Sequence, residues 1–568
     1  MLLRVEKLEK TINIRKIFEN ISFFINEGDR VGLLGVNGVG KTTLLNILAG
    51  EDNNYEGSYF YPSRTSVFYG KQSIRYEEHK TVLQLVLDRD DVDEVHKNLI
   101  SEAKHVLKRL GLSESDMHKT AAQLSGGMLT KVTLARAMCT RAEFLILDEP
   151  NNHLDMQQLE QLESFLTNYK GTVLIVSHDR KLLDNVCTRV IEMNSTGCNT
   201  YNGNYTDYVR QKDIELKTQL AKYESYKREK EKLVKIISQR KEWFKSAHTA
   251  AGQNDFWRSR AKKQFRVVKS KQMALEKLES KKVGKPKEIE KINLEFSNPS
   301  SEANIVMRVE NVTKSYGDQM IFKDVNLIIK NKERYCLTGP NGCGKTTFLN
   351  IICGNDSEYD GNVIISKDRR LAYYRQLHEN LNMENSIIDE IKAEGVSSNE
   401  ARLLLGCFLI RGEEVFKKVG NLSVGERSKL SILKIMLSGK DILVLDEPTN
   451  HMDVYSKEKI EEALLDYEGA LIFVSHDRYF LEKISTRTLA VQKHAIVEYP
   501  GGYGYYLEKS RKKDNLNNEE IKDSNSRMLL ENRLSFLAGK LSDINIQPDL
   551  KQQLEEEYFE ICKELRKS

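Results

Sequence analysis

The sequence predicts an α/β protein in which one domain occurs twice and a long helical hairpin joins the two copies. The first observation is an internal repeat, because "GVNGVGKTTLLNILAG" from Gly35 returns as "GPNGCGKTTFLNIICG" from Gly339. The second is that each copy alternates short apolar stretches, such as "EFLILDE", with helical ones, such as "KTTLLNILAG". The third is a charged stretch between the copies, residues 206–298, which lacks Gly and Pro before Gly252.

The composition is that of a globular protein with charged helical surfaces, since 40% of the 568 residues are hydrophobic and 30% are charged. The net charge of +4 is too small for a basic field over the whole molecule, so any nucleic-acid contact must come from a local patch. No apolar run approaches the roughly 18 residues of a membrane span, and no two cysteines form a CxxC pair. We therefore expect a cytoplasmic protein without membrane, DNA or metal-cluster binding.

The two copies align at nearly constant spacing along the chain. Val5 and Val309 begin matching segments, and Gln72 and Gln376 end the matching stretches "YGKQ" and "YYRQ", with 304 residues between equivalent positions. From "LSGG" at Leu124 onward the spacing is 298, so the second copy is shorter before its LSxG stretch. The expected units are the copies 1–205 and 299–505, the hairpin linker 206–298 and a C-terminal helical extension 506–568.

The linker has the pattern of two antiparallel helices. Apolar residues at three-, four- and seven-residue spacings predict a stripe along each helix, and Ala-Ala-Gly-Gln at 250–253 predicts the turn. A helix of about 40 residues reaches on the order of 60 Å, beyond the body of either copy. The stripes are Leu216, Leu220, Tyr223, Leu233 and Ile237, then Phe265, Val268, Leu275 and Leu278. The tail pattern Leu530, Leu534, Leu537 and Leu541, then Leu554, Tyr558, Ile561 and Leu565, predicts a short coiled coil.

Both copies contain the pattern GxxxxGK[ST], starting at Gly35 and Gly339. Glycines in such a loop let backbone N–H groups surround phosphate oxygens at a helix N-terminus, where the helix dipole favours anions. Lys41 and Lys345 are expected to contact the β- and γ-phosphates of a nucleotide, and the threonine after each lysine to bind Mg²⁺. The predicted phosphate-loop residues are Gly35, Asn37, Gly38, Gly40, Lys41, Thr42 and Thr43 in the first copy and Gly339, Asn341, Gly342, Gly344, Lys345, Thr346 and Thr347 in the second.

Paired acids close a buried strand in each copy, in "FLILDE" and "ILVLDE". Asp148 and Asp446 fit a metal-facing carboxylate at the end of the strand. Glu149 and Glu447 come one residue later, so they point to the opposite face and could polarise a water for attack on the γ-phosphate. A solvated acidic turn is the alternative, but a charge pair that closes an apolar strand does not favour it.

These residues and three further motifs resemble the ATP-binding cassette family. The resemblance implies an α/β fold with two ATP-binding cassette domains in tandem, and an ATPase that converts ATP and water to ADP and phosphate. It implies that each ATP lies between one cassette's phosphate loop and the other cassette's signature motif. The resemblance adds the signature residues, which are Ser125, Gly126, Gly127, Ser423, Gly425 and Glu426. It also adds the Q-loop glutamines Gln72 and Gln376, which would bind both nucleotide and Mg²⁺. The switch histidines His178 and His476 would be catalytic together with Glu149 and Glu447.

The acidic motifs continue in a way that narrows the family. "DEPNNHLD" and "DEPTNHMD", with two cassettes, a charged helical linker and no membrane segment, resemble the ABC-F group, whose members act on ribosomes. The resemblance covers essentially the whole chain. It implies the ribosome as partner, with rRNA and tRNA contacts near the exit and peptidyl-tRNA sites, and a monomer that acts as an intramolecular cassette dimer with two ATP. The Asn-His-x-Asp extensions are expected at the contact between the cassettes, Asn152, His153 and Asp155 with Asn450, His451 and Asp453.

The two copies differ at positions that bear on nucleotide binding. Tyr316 resembles the aromatic residue that stacks on adenine, and its counterpart is Ile12, so stacking is expected to be weaker in the first copy. Val424 replaces a glycine of the signature, Asn151 replaces the usual Thr after the paired acids, and Met128 replaces the usual polar residue after LSGG. Since both copies keep the Lys, Asp, Glu and His, we expect two hydrolysing sites with different rates.

A local basic patch lies in the linker, although the whole chain is nearly neutral. Between Asn254 and Gln272 seven basic residues accompany one acid, Asp255, which suits a phosphate-rich partner. Elsewhere in the linker Lys alternates with Glu, as in a solvated helix. Phe256 and Trp257 could stack on exposed bases, with packing between the hairpin helices as the alternative. The predicted RNA- or tRNA-contacting residues are Phe256, Trp257, Arg258, Arg260, Lys262, Lys263 and Arg266.

Three functions remain to be compared. In the first, the ATP-bound protein inserts its hairpin towards the tRNA and peptidyl-transferase region and confers resistance to large-subunit antibiotics by ribosome protection. The long hairpin, the modest segment between Gln72 and Leu124 and the LSVGE-like signature favour this over a housekeeping factor that relieves stalled ribosomes. The second is the ATPase subunit of a membrane exporter. The third, a DNA-repair or chromosome ATPase, would require zinc modules or much longer coiled coils than this sequence contains.

Overall fold

The computed structural model describes residues 1–510 apart from several gaps. The gaps are 63–64, 72–77, 89–96, 153, 251–254, 281–283, 285–304, 368, 376–380, 409 and 451. Within the linker helices, the side chains of 244–245, 247–250, 255–262 and 264 are also outside the description. The predicted C-terminal coiled coil and four predicted site residues, Gln72, Gln376, His153 and His451, therefore lie outside the described residues.

The first half of the chain folds as an α/β unit around a mostly parallel sheet. Its strands are β1 (Leu3–Ile12), β2 (Arg15–Ile25), β3 (Arg30–Leu34), β4 (Glu56–Phe60), β5 (Val67–Gly70), β6 (Phe144–Asp148), β7 (Thr172–Val176), β8 (Arg189–Asn194) and β9 (Gly197–Asn202). Its helices are α1 (Lys41–Leu48), α2 (Val82–Leu87), α3 (Lys97–Arg109), α4 (Glu114–Met117), α5 (Gly126–Cys139), α6 (Met156–Asn168) and α7 (Arg180–Val186). The main sheet has the order β5-β6-β7-β3-β8-β9, with only β9 antiparallel to its neighbour. β6 and β7 are buried along their whole length, which explains their uninterrupted apolar sequences.

The linker consists of two long helices that pack against each other. α8 (Tyr205–Ala250) has 46 residues, which corresponds to a length of about 69 Å. α9 (Asp255–Ser280) returns beside it, and Lys230 Nζ of α8 lies 2.8 Å from Glu279 Oε1 of α9. The predicted hairpin is confirmed, and its stripes are buried or half-buried except at Phe265, whose side chain is 53% exposed. The prediction for Phe265 is wrong because a three-residue step from the buried Val268 turns the side chain by about 60° around the helix, towards the edge of the contact.

The second half repeats the architecture of the first. Its strands are β10 (Ile305–Tyr316), β11 (Gln319–Lys330), β12 (Arg334–Thr338), β13 (Asp360–Ile365), β14 (Leu371–Tyr374), β15 (Ile442–Asp446), β16 (Ala470–Val474), β17 (Arg487–Gln492) and β18 (Ala495–Tyr499). Its helices are α10 (Lys345–Ile352), α11 (Ile387–Lys392), α12 (Ser398–Cys407), α13 (Val424–Leu437), α14 (Val454–Leu465) and α15 (Arg478–Ile484). The main sheet β14-β15-β16-β12-β17-β18 matches that of the first half strand for strand. The antiparallel sheets β2-β1-β4 and β11-β10-β13 correspond in the same way, so the predicted tandem of two α/β domains is confirmed.

Two reciprocal ion pairs join the halves. Arg180, at the start of α7, pairs with Glu461 of α14, and Arg478, at the start of α15, pairs with Glu163 of α6. The two arginines are equivalent in the repeat, and so are the two glutamates. Arg180 and Glu461 are almost completely buried, so neither charge is solvated by water. These two ion pairs between the halves therefore obey the internal repeat.

Candidate active sites

The phosphate loop of the first half connects β3 to α1. Gly40 precedes the helix with a φ of 102°, and a Cβ there would lie 2.7 Å from Cγ2 of Ile17 and 2.8 Å from Cδ1 of Phe18. Both the backbone angle and the lack of space therefore require glycine. The Lys41 Nζ donates to the carbonyl oxygen of Gly35 at 2.7 Å and so spans the loop. The loop leaves backbone N–H groups at the N-terminus of α1, which is a geometry that binds phosphate.

The residues predicted to bind Mg²⁺ meet directly beside each loop. Thr42 Oγ1 donates to Asp148 Oδ2 at 2.7 Å, and Thr346 Oγ1 donates to Asp446 Oδ2 at 3.0 Å. Burial raises the pKa of both aspartates, so each carboxylate lacks the solvation that its charge requires. Hydroxyl and carboxylate oxygens are the ligands that Mg²⁺ prefers. The structure thus brings together the described members of each predicted metal site.

The glutamates that follow these aspartates have an unusual backbone conformation. Glu149 and Glu447 have φ values of 50° and 51°, a region that residues other than glycine rarely adopt. The N–H of Glu149 donates to the carbonyl oxygen of Val176 at 2.8 Å, which fixes the strained residue against the end of β7. Since strain of this kind costs on the order of 1–3 kcal/mol and is concentrated at functional sites, its presence at both equivalent positions is consistent with a catalytic role.

Each of these glutamates lies against the histidine of the same half. The backbone N–H of His178 donates to Glu149 Oε2 at 3.3 Å, and its Nε2 lies 3.4 Å from Glu149 Oε1. The same distances for His476 and Glu447 are 3.1 and 3.4 Å. His178 Nε2 also lies 3.1 Å from Asn37 Oδ1 of the phosphate loop. The predicted base and switch histidine are therefore neighbours in both sites.

Burial changes the protonation behaviour of the first site. Burial and then the charge of Asp148 raise the pKa of Glu149 to about 8, against the opposing charges of Lys41 and Lys457. Burial and then the charge of Lys41 hold the pKa of His178 well below its usual range, so this imidazole is neutral at pH 7. Burial also raises the pKa of Glu447 in the second site. The ionised form of a carboxyl group with a raised pKa is a stronger base than the carboxylate of an ordinary surface glutamate.

A cavity of about 410 Å³ opens at the first site, and residues of both halves line it. The first half contributes the phosphate loop, Asp148, Glu149 and His178, and the second half contributes Thr449, Asn450, Met452 and Lys457. Asn450 therefore lines a cavity that the two cassettes share, and its predicted contact with the opposite cassette stays a prediction. The signature residues Ser423 and Gly425 are not among the residues that line this cavity, so the clamp between a phosphate loop and the opposite signature stays a prediction.

The signature motifs form the N-termini of α5 and α13. Ser125 Oγ accepts the N–H of Met128 at 3.3 Å, and Ser423 Oγ accepts the N–H of Glu426 at the same distance. Val424 is 53% exposed, and a Cβ added at its counterpart Gly126 would meet nothing within 4 Å. The valine therefore fits the helix start without displacing other atoms. Both helices present the exposed N-terminal turn that the predicted phosphate contact requires.

The second site keeps the contact between the lysine and the start of the phosphate loop. Lys345 Nζ donates to the carbonyl oxygens of Gly339 and Pro340, both at 2.9 Å. A cleft of about 910 Å³ lies beside the start of this loop and includes Asp155 of the first half. Tyr316 ends β10 as Ile12 ends β1, and both side chains are exposed, at the positions expected for adenine stacking.

One predicted difference between the two sites is compensated by the structure. Asn151 Oδ1 accepts a hydrogen bond from Ser177 Oγ at 2.7 Å, and the hydroxyls of Thr449 and Ser475 lie 3.2 Å apart at the equivalent place. Asparagine therefore preserves the link that threonine makes after the paired acids. The predicted difference in rate between the two sites would therefore have to come from other residues.

Three buried polar atoms show that the sites suit a further bound group. Glu149 Oε1, Glu447 Oε1 and His178 Nδ1 are buried and have no hydrogen-bond partner among the described residues. Buried polar atoms without a partner are rare in folded proteins. Together with the phosphate loops and the threonine–aspartate pairs, these atoms fit ATP with Mg²⁺. When bound, Mg²⁺ would neutralise phosphate charge, and the glutamate carboxylate would be placed to orient water and accept its proton.

Comparison with known proteins identifies the family. The ABC transporter family matches residues 18–152 and 322–450, and a second ABC transporter match covers residues 191–296. The putative ATP-binding protein YdiF of Bacillus subtilis is 32% identical over 92% of this chain and 85% of its own length. ABC transporter F family member 5 of Arabidopsis thaliana is 30% identical over 89% and 77%. The ribosome protection protein VmlR of Bacillus subtilis is 30% identical over 97% and 95%. The chain belongs to the ABC-F family.

The ABC-F assignment makes this protein an ATPase with two ATP-binding cassettes. A solved structure supports the fold of this ABC-F protein. The RNase-L inhibitor superimposes with a TM-score of 0.60 at 20% identity, over 88% of this chain and 90% of that one. In the part of the chain that the structure describes, no helix has the length and apolarity required to cross a membrane.

Sequence reasoning missed a charged residue that lines the first site of this ABC-F protein. Lys457 lies on α14 of the second half, and its Nζ donates to the carbonyl oxygen of His178 at 2.9 Å. A signal for it exists in the sequence, because the equivalent position in the first copy is Leu159. A position-by-position comparison of the helices that follow the Asn-His-x-Asp segments reveals this difference between the copies.

Proposed function

We propose that this ABC-F ATPase binds the ribosome in its ATP-bound form and protects it from large-subunit antibiotics. ATP closes the cassettes, the hairpin extends towards the tRNA and the peptidyl-transferase region, and hydrolysis releases the protein. The observation that carries this proposal is the likeness to VmlR, named a ribosome protection protein, over 97% of this chain and 95% of that one. The single chain supplies both cassettes and the linker, so a monomer suffices for this function.

The proposed chemistry follows from the contacts in each site. Glu149 and Glu447 accept the proton of the attacking water, and His178 and His476 position them against the γ-phosphate. Lys41 and Lys345 contact the β- and γ-phosphates. The threonine–aspartate pairs hold Mg²⁺ together with Gln72 and Gln376. We propose the domain boundaries 1–205, 206–298, 299–505 and 506–568 for the two cassettes, the linker and the C-terminal extension.

The hairpin supplies the proposed RNA contact. Within the basic segment, Lys263 and Arg266 have described side chains, and both are exposed on α9. The side chains of Phe256, Trp257, Arg258, Arg260 and Lys262 lie outside the description, although these residues are part of α9. Exposed cations on an arm of about 69 Å suit phosphate contacts at a distance from the cassettes.

The resistance proposal is tested by expressing the protein in a drug-sensitive bacterium against a panel of large-subunit inhibitors. We expect a raised inhibitory concentration for at least one drug class, and no increase with the Glu149→Gln/Glu447→Gln variant. Unchanged inhibitory concentrations across the panel would contradict the resistance proposal and favour the housekeeping function, which is relief of stalled ribosomes.

The role of the hairpin is tested by charge reversal on α9. Lys263→Glu with Arg266→Glu is expected to weaken ribosome binding and to reduce its salt dependence, because phosphate contacts are lost. The matched control is Lys227→Glu with Arg228→Glu, which changes two exposed cations on α8 outside the basic segment. Deletion of 250–258 should leave the basal ATPase largely intact and abolish protection. Protection that survives this deletion would make the tip a spacer.

A second function, the ATPase subunit of an exporter, is favoured by one observation, the ABC transporter description of the matching family. Sedimentation with ribosomes separates the two functions. The Glu149→Gln/Glu447→Gln variant in ATP is expected to pellet with ribosomes, and an exporter subunit is not. A variant that stays in the supernatant under these conditions would contradict the ribosome proposal.

A further inference from the structure

Lys457 joins the catalytic segments of the two cassettes. Its Nζ donates to the carbonyl oxygen of His178 in the first cassette and to Asp477 Oδ2 in the second, both at 2.9 Å. Asp477 directly follows His476, the equivalent of His178. The lysine is only 7% exposed, so both hydrogen bonds form in a region that excludes most water. Charge-assisted hydrogen bonds in such surroundings are strong and fix the groups that they connect.

Among the described residues, this link is present on one side of the molecule only. The repeat places Leu159 of α6 at the position that Lys457 occupies in α14, and the leucine is buried in the core of the first cassette. A leucine has no donor for the carbonyl oxygen of His476. The reciprocal ion pairs of Arg180 and Arg478 obey the internal repeat, whereas the lysine contact does not. The two sites therefore differ in how they are tied to the opposite cassette.

The lysine also lies at the first cavity itself. Lys457 lines this cavity together with Glu149 and His178. His178 places its backbone N–H on Glu149 Oε2 and its imidazole 3.4 Å from Glu149 Oε1, so the orientation of this one residue determines both contacts. A donor on the carbonyl oxygen of His178 restrains the peptide unit that follows the imidazole. The position of the glutamate is thus coupled to a side chain of the second cassette.

We propose that Lys457 is a positioning residue for ATP hydrolysis at the first site only. It holds the His178 segment in the orientation that places Glu149 and the imidazole correctly, and it makes this orientation depend on Asp477 of the second cassette. The inference rests on the proposed roles of Glu149 and Glu447, because these residues are used to isolate each site. It adds a physical cause for unequal hydrolysis by two sites with the same four catalytic residue types.

The test measures ATPase activity without ribosomes in two backgrounds. Glu447→Gln leaves hydrolysis to the first site, and Glu149→Gln leaves it to the second. In the Glu447→Gln background, Lys457→Met is expected to lower kcat by about tenfold or more and to leave KM for ATP within about twofold, because misplacement affects the reacting geometry and not nucleotide binding. In the Glu149→Gln background, the same substitution is expected to leave kcat within about twofold.

Lys459→Met is the matched control. Lys459 lies on the same helix, is also 7% exposed, and pairs with Glu462 of its own helix at 2.5 Å. Lys459→Met should leave kcat unchanged in both backgrounds. Lys457→Arg, which keeps the charge and the donors, should recover part of the kcat that Lys457→Met loses, and Lys457→Gln should recover less. This comparison also decides the question if Lys457→Met fails to fold.

Two results would overturn the inference. Equal losses of kcat in both backgrounds would show that Lys457 acts only through the stability of the interface, and an unchanged kcat in the Glu447→Gln background would show that it does not act on hydrolysis. Failure of the underlying site assignment is visible separately, because the Glu149→Gln/Glu447→Gln double variant would then retain turnover before Lys457 is altered.

Discussion

At the scale of single residues, two glutamates combine a strained backbone with a largely buried side chain. Glu149 and Glu447 hold φ near 50° at the end of an apolar strand, and burial raises the pKa of each carboxyl. Both features cost stability, so the fold must offset them through the surrounding sheet and the neighbouring histidine. Glycine would adopt this backbone conformation without strain, so a glutamate in this place indicates a role for its carboxyl group.

The proposed role of these glutamates predicts the behaviour of the amide variants. Glu149→Gln with Glu447→Gln keeps the shape of both side chains and removes the proton acceptor. We expect kcat for ATP to fall by about 10²–10⁴-fold, with ATP binding retained. Steady-state phosphate release and fluorescent-nucleotide binding measure the two quantities. Turnover at the wild-type rate would show that the general bases lie elsewhere.

A second residue-scale prediction concerns Asp179, which caps α7 at the contact between the cassettes. Burial and then the charge of Asp477 raise the pKa of Asp179 to about 6, above the value of about 3.9 in an unfolded chain. The folded state therefore prefers the protonated acid, and this contribution to stability is present below about pH 4 and lost as the pH rises through about 6. Asp179→Asn cannot ionise. Its thermal unfolding midpoint should rise relative to wild type between pH 4 and 6 and keep a constant difference above pH 7.

At the scale of elements, the linker hairpin depends on a small buried contact. Leu233 and Ile237 of α8 and Val268 of α9 are less than 10% exposed, whereas most of both helices is charged and exposed. Long helices with so few buried residues owe their association to those residues. Substitutions at these three positions should therefore lower the stability of the hairpin strongly, and substitutions elsewhere on its surface should lower it little.

Val268→Ala should loosen the hairpin by about 2 kcal/mol, since it removes two buried methyl groups and leaves a cavity. Hydrogen exchange along α8 and α9 measures the loss as faster exchange in both helices. Met273→Ala on the same helix is the control, because Met273 is 56% exposed and its truncation should stay within about 0.5 kcal/mol. Equal exchange rates in the two variants would contradict the assignment of Val268 to the hairpin core.

At the scale of the whole molecule, the cassettes are held in register by buried charges. Arg180 donates to both carboxylate oxygens of Glu461, and Lys483 Nζ lies 3.0 Å from Glu461 Oε2. Removing the acid takes from the buried Arg180 its bidentate partner and leaves only Asp477 Oδ1, at 3.5 Å, paired with it, so Glu461→Gln should cost about 3–5 kcal/mol. Thermal unfolding measures the effect. Glu482→Gln, at an exposed pair with Lys181 at 3.7 Å, should cost no more than about 1 kcal/mol.

The features that could be predicted from the sequence are those whose residues lie close together along the chain. The phosphate loops, the paired acids and the histidines lie within short motifs next to apolar strands, and their described members lie beside one another in each half. Lys457 and the pairing of Arg180 with Glu461 could not be found in this way, because each contact joins residues about 280 positions apart and depends on how two folded units meet. The exposure of Phe265 depends on the angle at which α8 and α9 pack, which spacing alone does not determine.

The base of the linker helix has a mechanical consequence. Tyr205 donates to Glu458 of the second cassette at 3.0 Å, and the hydroxyls of Tyr208 and Tyr455 lie 2.7 Å apart, so the first turns of α8 are attached to α14. Any rotation of one cassette against the other is thus transmitted to one end of a rod about 69 Å long. A tilt of about 10° at this end displaces the far end by about 12 Å. A small rotation of the cassettes around bound nucleotide would therefore displace the tip of the hairpin by about a nanometre.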